Sequence, residues 1–126
     1  MLKPDVLRKK KDFSSLYKKG KSVGGRYVVL FYRKNGLGYN RKAFLASKKV
    51  GKSVVRNRAR RLMKESYRAL ESSLPKGYDM IFIARYTICD QKYADVKKSI
   101  EAALRRSGII SGNSKKMIRE NKSQGE

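Results

Sequence analysis

One stretch constrains this chain more than any other: Lys48 to Arg68, KKVGKSVVRNRARRLMKESYR. It carries nine basic residues, Lys48, Lys49, Lys52, Arg56, Arg58, Arg60, Arg61, Lys64 and Arg68, against one acid, Glu65. Ser53 suits an N-cap, because its hydroxyl can accept from a free N–H of the first turn. Gly51, just before it, permits the turn into a helix. On a helical wheel, Val55, Ala59, Leu62, Met63, Ser66, Leu70 and Leu74 gather within roughly a third of the circumference. Asn57, Arg60, Arg61, Lys64 and Arg68 gather opposite, and Arg56 and Arg58 flank the apolar stripe. The fold must therefore bury one stripe of this helix and turn a cation row outward. Solvated helices usually intersperse both signs. A cation row with almost no acid repels itself and calls for an anionic partner.

The rest of the chain repeats that demand. Lys and Arg number 33 against 10 Asp and Glu, a formal charge of +23 spread over most of 126 residues. Polyanions are the expected partners, nucleic acid first and acidic membrane surfaces second. With 40% hydrophobic residues, the chain can form one globular domain with a modest core, placed at residues 1–110. No apolar run approaches the roughly 18 residues of a membrane span. Met1 to Lys11 lacks a hydrophobic signal core, so a cytoplasmic location and no membrane partner are expected. The single cysteine, Cys89, has no internal disulfide partner. The absence of histidine removes the commonest general base and metal ligand. No catalytic residue and no protein-held metal are expected.

Taken in order, Asp12 reads as the N-cap of a short helix, Phe13 to Lys19, closed by Gly20. Phe13, Leu16 and Tyr17 share one of its faces. Leu16 reads as core. The two aromatics, set among Lys9, Lys10, Lys11, Lys18 and Lys19, also have the composition of a single-strand platform. Ser22 to Gly25 reads as a turn. Arg26 to Arg33 reads as a strand, with Tyr27, Val29, Phe31 and Arg33 on one face. Lys34 to Asn40 is a Gly/Asn turn, which predicts an antiparallel hairpin with a second strand, Arg41 to Lys48. The basic helix runs from Ser53 to about Ser73. Tyr78 to Arg85, YDMIFIAR, is a central strand, and Tyr93 to Arg106 is the last helix. Residues 111–126 read as a disordered tail. The order predicts an α+β fold, a two-layer α/β sandwich with about four strands and three helices, helices largely on one face.

At GKSVVRNRARRLMKE the chain resembles the bacterial ribonuclease P protein family. That family carries an R-N-R core on a helix with further basic residues after it, here Arg56, Asn57, Arg58, Arg60 and Arg61. The preceding SKKVG resembles the family's loop, DFSSLYKKGKS its aromatic helix and YDMIFIAR its buried strand. The resemblance spans about residues 7–106 and implies a left-handed β–α–β crossover, where crossovers are ordinarily right-handed. It implies an accessory subunit of a ribozyme, in which RNA with Mg²⁺ hydrolyses the phosphodiester that joins the 5′ leader to precursor tRNA. The implied partners are the catalytic RNA and precursor tRNA, and no DNA. The implied RNA-binding set is Lys48, Lys49, Lys52, Arg56, Asn57, Arg58, Arg60, Arg61, Lys64 and Arg68. The implied leader cleft uses Phe13, Tyr17, Val29 and Phe31.

Asn57 could orient an arginine, a base edge or a metal-bound water. Two other functions compete. A ribosomal or other structural RNA-binding protein shares the charge but has no need of an aromatic helix opposite an apolar strand. A stand-alone nuclease would need an active site, and Asp5, Asp12, Glu65, Glu71 and Asp79 are thinly spread.

Overall fold

The structure, a computed structural model, describes residues 6–7 and 9–110. In chain order the elements are α1 (Lys10–Lys19), β1 (Lys21–Gly24), β2 (Val28–Lys34), β3 (Arg41–Leu45), α2 (Ser53–Leu70), β4 (Tyr78–Ala84) and α3 (Tyr93–Ser107). Short 3-10 turns occupy Glu71–Ser73 and Tyr86–Ile88. This is the expected α+β fold, with three helices and a mixed sheet. The tail expected at 111–126 lies outside the described residues.

The sheet order is β1-β2-β4-β3. The hairpin expected between β2 and β3 does not form, because β4 separates them. Phe82 of β4 stands opposite Leu30 of antiparallel β2 and opposite Phe44 of parallel β3. The reason is burial: β4 is apolar on both faces, so it belongs in the middle of the sheet. The hairpin that does form is β1–β2, with Gly24 opposite Val29. It uses residues expected to be only a turn. Gly25 closes it by donating to the Val28 carbonyl at 2.9 Å. A Cβ on Gly25 would come within 2.8 Å of that same carbonyl, so the turn needs glycine.

Two helix starts also differ from expectation. α1 begins at Lys10, with Lys9 at the N-cap and no side-chain cap. Asp12 falls inside the first turn, where its charge suits the helix dipole. In α2 the cap position is Lys52, and Ser53 is the first helical residue. The Ser53 hydroxyl instead accepts from Arg56 Nη2 at 3.3 Å.

The sheet is covered on both faces. On one face α2 and α3 enclose the main core, built from Leu30, Met80 and Phe82 of the sheet, Met63 and Tyr67 of α2, and Val96 and Ile100 of α3. On the other face α1 adds a partial layer over a smaller core of Leu7, Leu16, Ala43 and Ile81.

The hand of the β3–α2–β4 crossover follows from the backbone. In a strand of L-residues running upward, a residue whose side chain faces the viewer has its N–H and C=O on the right. Lys42 faces α2, its ammonium 5.6 Å from the Tyr67 ring centre. Its carbonyl accepts from Leu7 N–H at 2.9 Å, on the side away from β4. Seen from α2, β4 therefore lies to the left of β3. The crossover is left-handed, against the usual rule.

Candidate nucleic-acid interface

α2 is seated by Ala59, Leu62, Met63, Ser66, Tyr67 and Leu70, all buried. Tyr67 is an addition to the expected stripe. Its ring meets Phe44 and Phe82 edge-on, each at 5.7 Å. Its position was legible, since it lies one turn beyond Met63. With that side fixed, Asn57, Arg61, Lys64 and Arg68 are exposed and Arg60 is half-buried. Asn57 Oδ1 accepts from Arg60 Nη2, so of the roles open to Asn57 the geometry favours orienting an arginine.

The other cations of the expected set lie apart from this row. Lys48, Lys49 and Lys52 are exposed on the approach to α2. Arg58 turns the other way, and its Nη2 donates to the Gln91 carbonyl at 2.8 Å. Arg56 is half-buried on the opposite flank, beside Ser53.

The aromatic residues assemble on the far face of the sheet. Tyr17 and Phe31 meet edge to face at 4.9 Å between ring centres. Phe13 and Phe31 pack half-buried against the small core under α1. Val29 shares their face by strand alternation, opposite Ile83 of β4. Tyr17 remains 43% exposed, enough to offer a ring face to a ligand. Partial burial raises its pKa above the ordinary phenol value.

The cation row and the aromatic helix are not isolated from each other. A groove of about 860 Å³ crosses the β3 edge of the sheet. One side is lined by Asn57, Arg60, Arg61, Lys64 and Arg68, the other by Phe13 and Leu45. The sequence supplied both walls but not their adjacency, which depends on β3 being the edge strand.

One cluster escaped the sequence reading. Asp79, at the start of β4, is 1% exposed. Arg41 forks its carboxylate, with Nε at 2.8 Å and Nη2 at 2.7 Å. Asn35 Nδ2 donates at 2.9 Å, and Arg33 Nε stands 3.8 Å away. Burial alone would raise the Asp79 pKa. The hydrogen bonds from Arg41 and Asn35, with the charges of Arg41 and Arg33, outweigh it and hold the pKa below its ordinary value. The bond to Asp79 in turn raises the Arg41 pKa. The signal was present in YDMIFIAR: an acid at the head of an otherwise apolar buried strand needs a partner.

Among the described residues, no three metal-ligating side chains come together. No described helix is long and apolar enough to cross a membrane.

Comparison with known proteins adds to this geometry. Residues 1–108 match the family model described as Ribonuclease P. A ribonuclease P protein component from Caldanaerobacter subterraneus is 46% identical over 103 residues, 82% of this chain and 89% of that relative. Another from Clostridium botulinum is 45% identical over 109 residues, 86% of this chain and 98% of that relative. Among solved structures, the Staphylococcus aureus RNase P protein superposes with a TM-score of 0.78 at 30% identity, covering 86% of this chain and 100% of that one. The Thermotoga maritima RNase P protein gives 0.73 at 32% identity, covering 79% and 94%.

Proposed function

The chain belongs to the ribonuclease P protein family, which acts in tRNA 5′-end processing, and on that premise we propose how it divides the work between two surfaces. It is a component of an endoribonuclease complex with RNA as its partner. In our reading α2 anchors the domain on the catalytic RNA, and the cleft between α1 and the sheet holds the 5′ leader of precursor tRNA. The hydrolysis belongs to the RNA and to Mg²⁺ bound there; this chain supplies binding and electrostatic support. The complex works in the cytoplasm.

The observation that carries this reading is the groove with the α2 cations on one wall and Phe13 of α1 on the other, with Tyr17 packed edge-on to Phe31 further along the same helix. Folded RNA is recognised through phosphates and shape, which suits an arginine row held on a packed helix. Arginine forks two phosphate oxygens where lysine offers a point charge. A leader varies in sequence, and stacking on Phe13, Tyr17 and Phe31 accepts any base at about 1–3 kcal/mol each.

Precursor tRNA incubated with the protein alone, the catalytic RNA alone and both together tests the assignment. Cleavage is expected only where the RNA is present, with the largest stimulation by protein at low Mg²⁺. Cleavage by the protein alone would overturn it.

A further inference from the structure

The Asp79 cluster has a direction. Both arginines that reach the carboxylate continue to α1. Arg33 Nη1 donates to Ser15 Oγ at 2.5 Å, and Arg41 Nη1 lies 3.7 Å from the Asp12 carboxylate. Asp12 and Ser15 are three residues apart, so they are neighbours on one side of α1. Two polar arms from one buried carboxylate thus grip a single face of the helix.

α1 needs such a grip. It spans only 10 residues, lacks a side-chain N-cap and has Leu16 as its one fully buried residue. One leucine holds a short helix against a sheet but does not set its rotation about its own axis. A buried ion pair is a poor stabiliser compared with apolar residues of similar size, and its best-attested use is to fix register. Here the register concerned is that of α1 on the sheet. On its other flank α1 carries Tyr17, edge-on to Phe31. A turn of the helix that lost the arms would also move that ring and Phe13.

We propose that Asp79 is a positioning residue for the single-strand cleft: through Arg41 and Arg33 it fixes the rotation of α1 that sets Phe13 and Tyr17 against β2. The inference rests on the cleft holding the leader. Asn35, bonded to the same carboxylate and capping Leu37 N–H at 2.7 Å, ties the β2–β3 connection into the same register.

The test uses the full chain reconstituted with the catalytic RNA. It compares affinity for precursor tRNA with affinity for mature tRNA in Asp79→Asn, in the double variant Asp12→Asn/Ser15→Ala, and in Phe13→Ala. The double variant cuts only the α1 ends of the arms and leaves the buried carboxylate paired, so it decides the matter if Asp79→Asn does not fold. Both cluster variants are expected to lower the precursor-to-mature ratio about tenfold, in the range of one stacked base. Affinity for mature tRNA and for the catalytic RNA stays within about twofold, the scale of a neutral surface change. A double variant that keeps the full ratio while Phe13→Ala loses it would overturn the positioning role alone. A Phe13→Ala protein that keeps the ratio would remove the cleft reading, and the positioning role with it.

Discussion

The two sides of the sheet are built by different means. α2, with 18 residues, buries six side chains into the main core. α1, with 10 residues, buries one. The arginine row is thus displayed on an element that could hardly move without unfolding the protein. The aromatic helix rests on a core of four buried residues and is steadied by one ion pair and one hydrogen bond to the sheet. A folded RNA presents a fixed phosphate pattern, and a rigid row suits it. A leader of variable sequence suits aromatic rings that accept any base, on a helix whose rotation is set at its edge.

The sharpest way to break this contrast is to cut each core. Phe82→Ala, at the centre of the main core, is expected to cost about 3–5 kcal/mol in denaturant unfolding, lost cooperatively by the whole domain. Leu16→Ala is expected to cost less, about 2–3 kcal/mol. Hydrogen exchange should rise over 10–19 while α2 keeps its protection. Equal, global loosening in both variants would erase the distinction.

The Asp79 cluster sharpens it further. Asp79→Asn is expected to cost about 1.5–3 kcal/mol at neutral pH, the scale of hydrogen bonds to a charged group. The folded-state pKa of Asp79 is depressed. Its contribution is therefore complete above the unfolded carboxyl pKa of about 4 and lost as pH falls through the lower folded value. The gap between wild type and variant in urea unfolding should narrow below about pH 4. A gap that widened there would contradict the assignment of the charge to Asp79.

How far the sequence carried these conclusions depended on whether the signal was local. The α2 stripe and cation row follow from helical period, although the expected stripe left out Tyr67, which is buried, and included Val55, which is exposed. Phe13 with Tyr17, and Val29 with Phe31, could each be paired by the period of one element. Bringing the two pairs together required α1 to lie on β2, which no local pattern encodes. The β2–β3 hairpin failed for the same reason. Lys34 to Asn40 has turn composition, but the pairing was decided by the burial of distant β4. The β1–β2 hairpin had a signal in Gly24-Gly25, masked by weak strand formers in Lys21–Gly24. The left-handed crossover has no sequence signal, because handedness belongs to the order of strands in space.

A crossed titration tests the division of labour between the two sides most directly. Arg60→Ala and Phe13→Ala are each measured for affinity to the catalytic RNA, and in the reconstituted complex for the ratio of precursor to mature tRNA affinity. The account predicts that Arg60→Ala weakens the catalytic RNA and lowers the salt dependence of its binding by about one unit of slope, with the ratio kept. Phe13→Ala should do the reverse, keeping the RNA affinity and losing about tenfold in the ratio. Equal losses for both variants in both assays would contradict it.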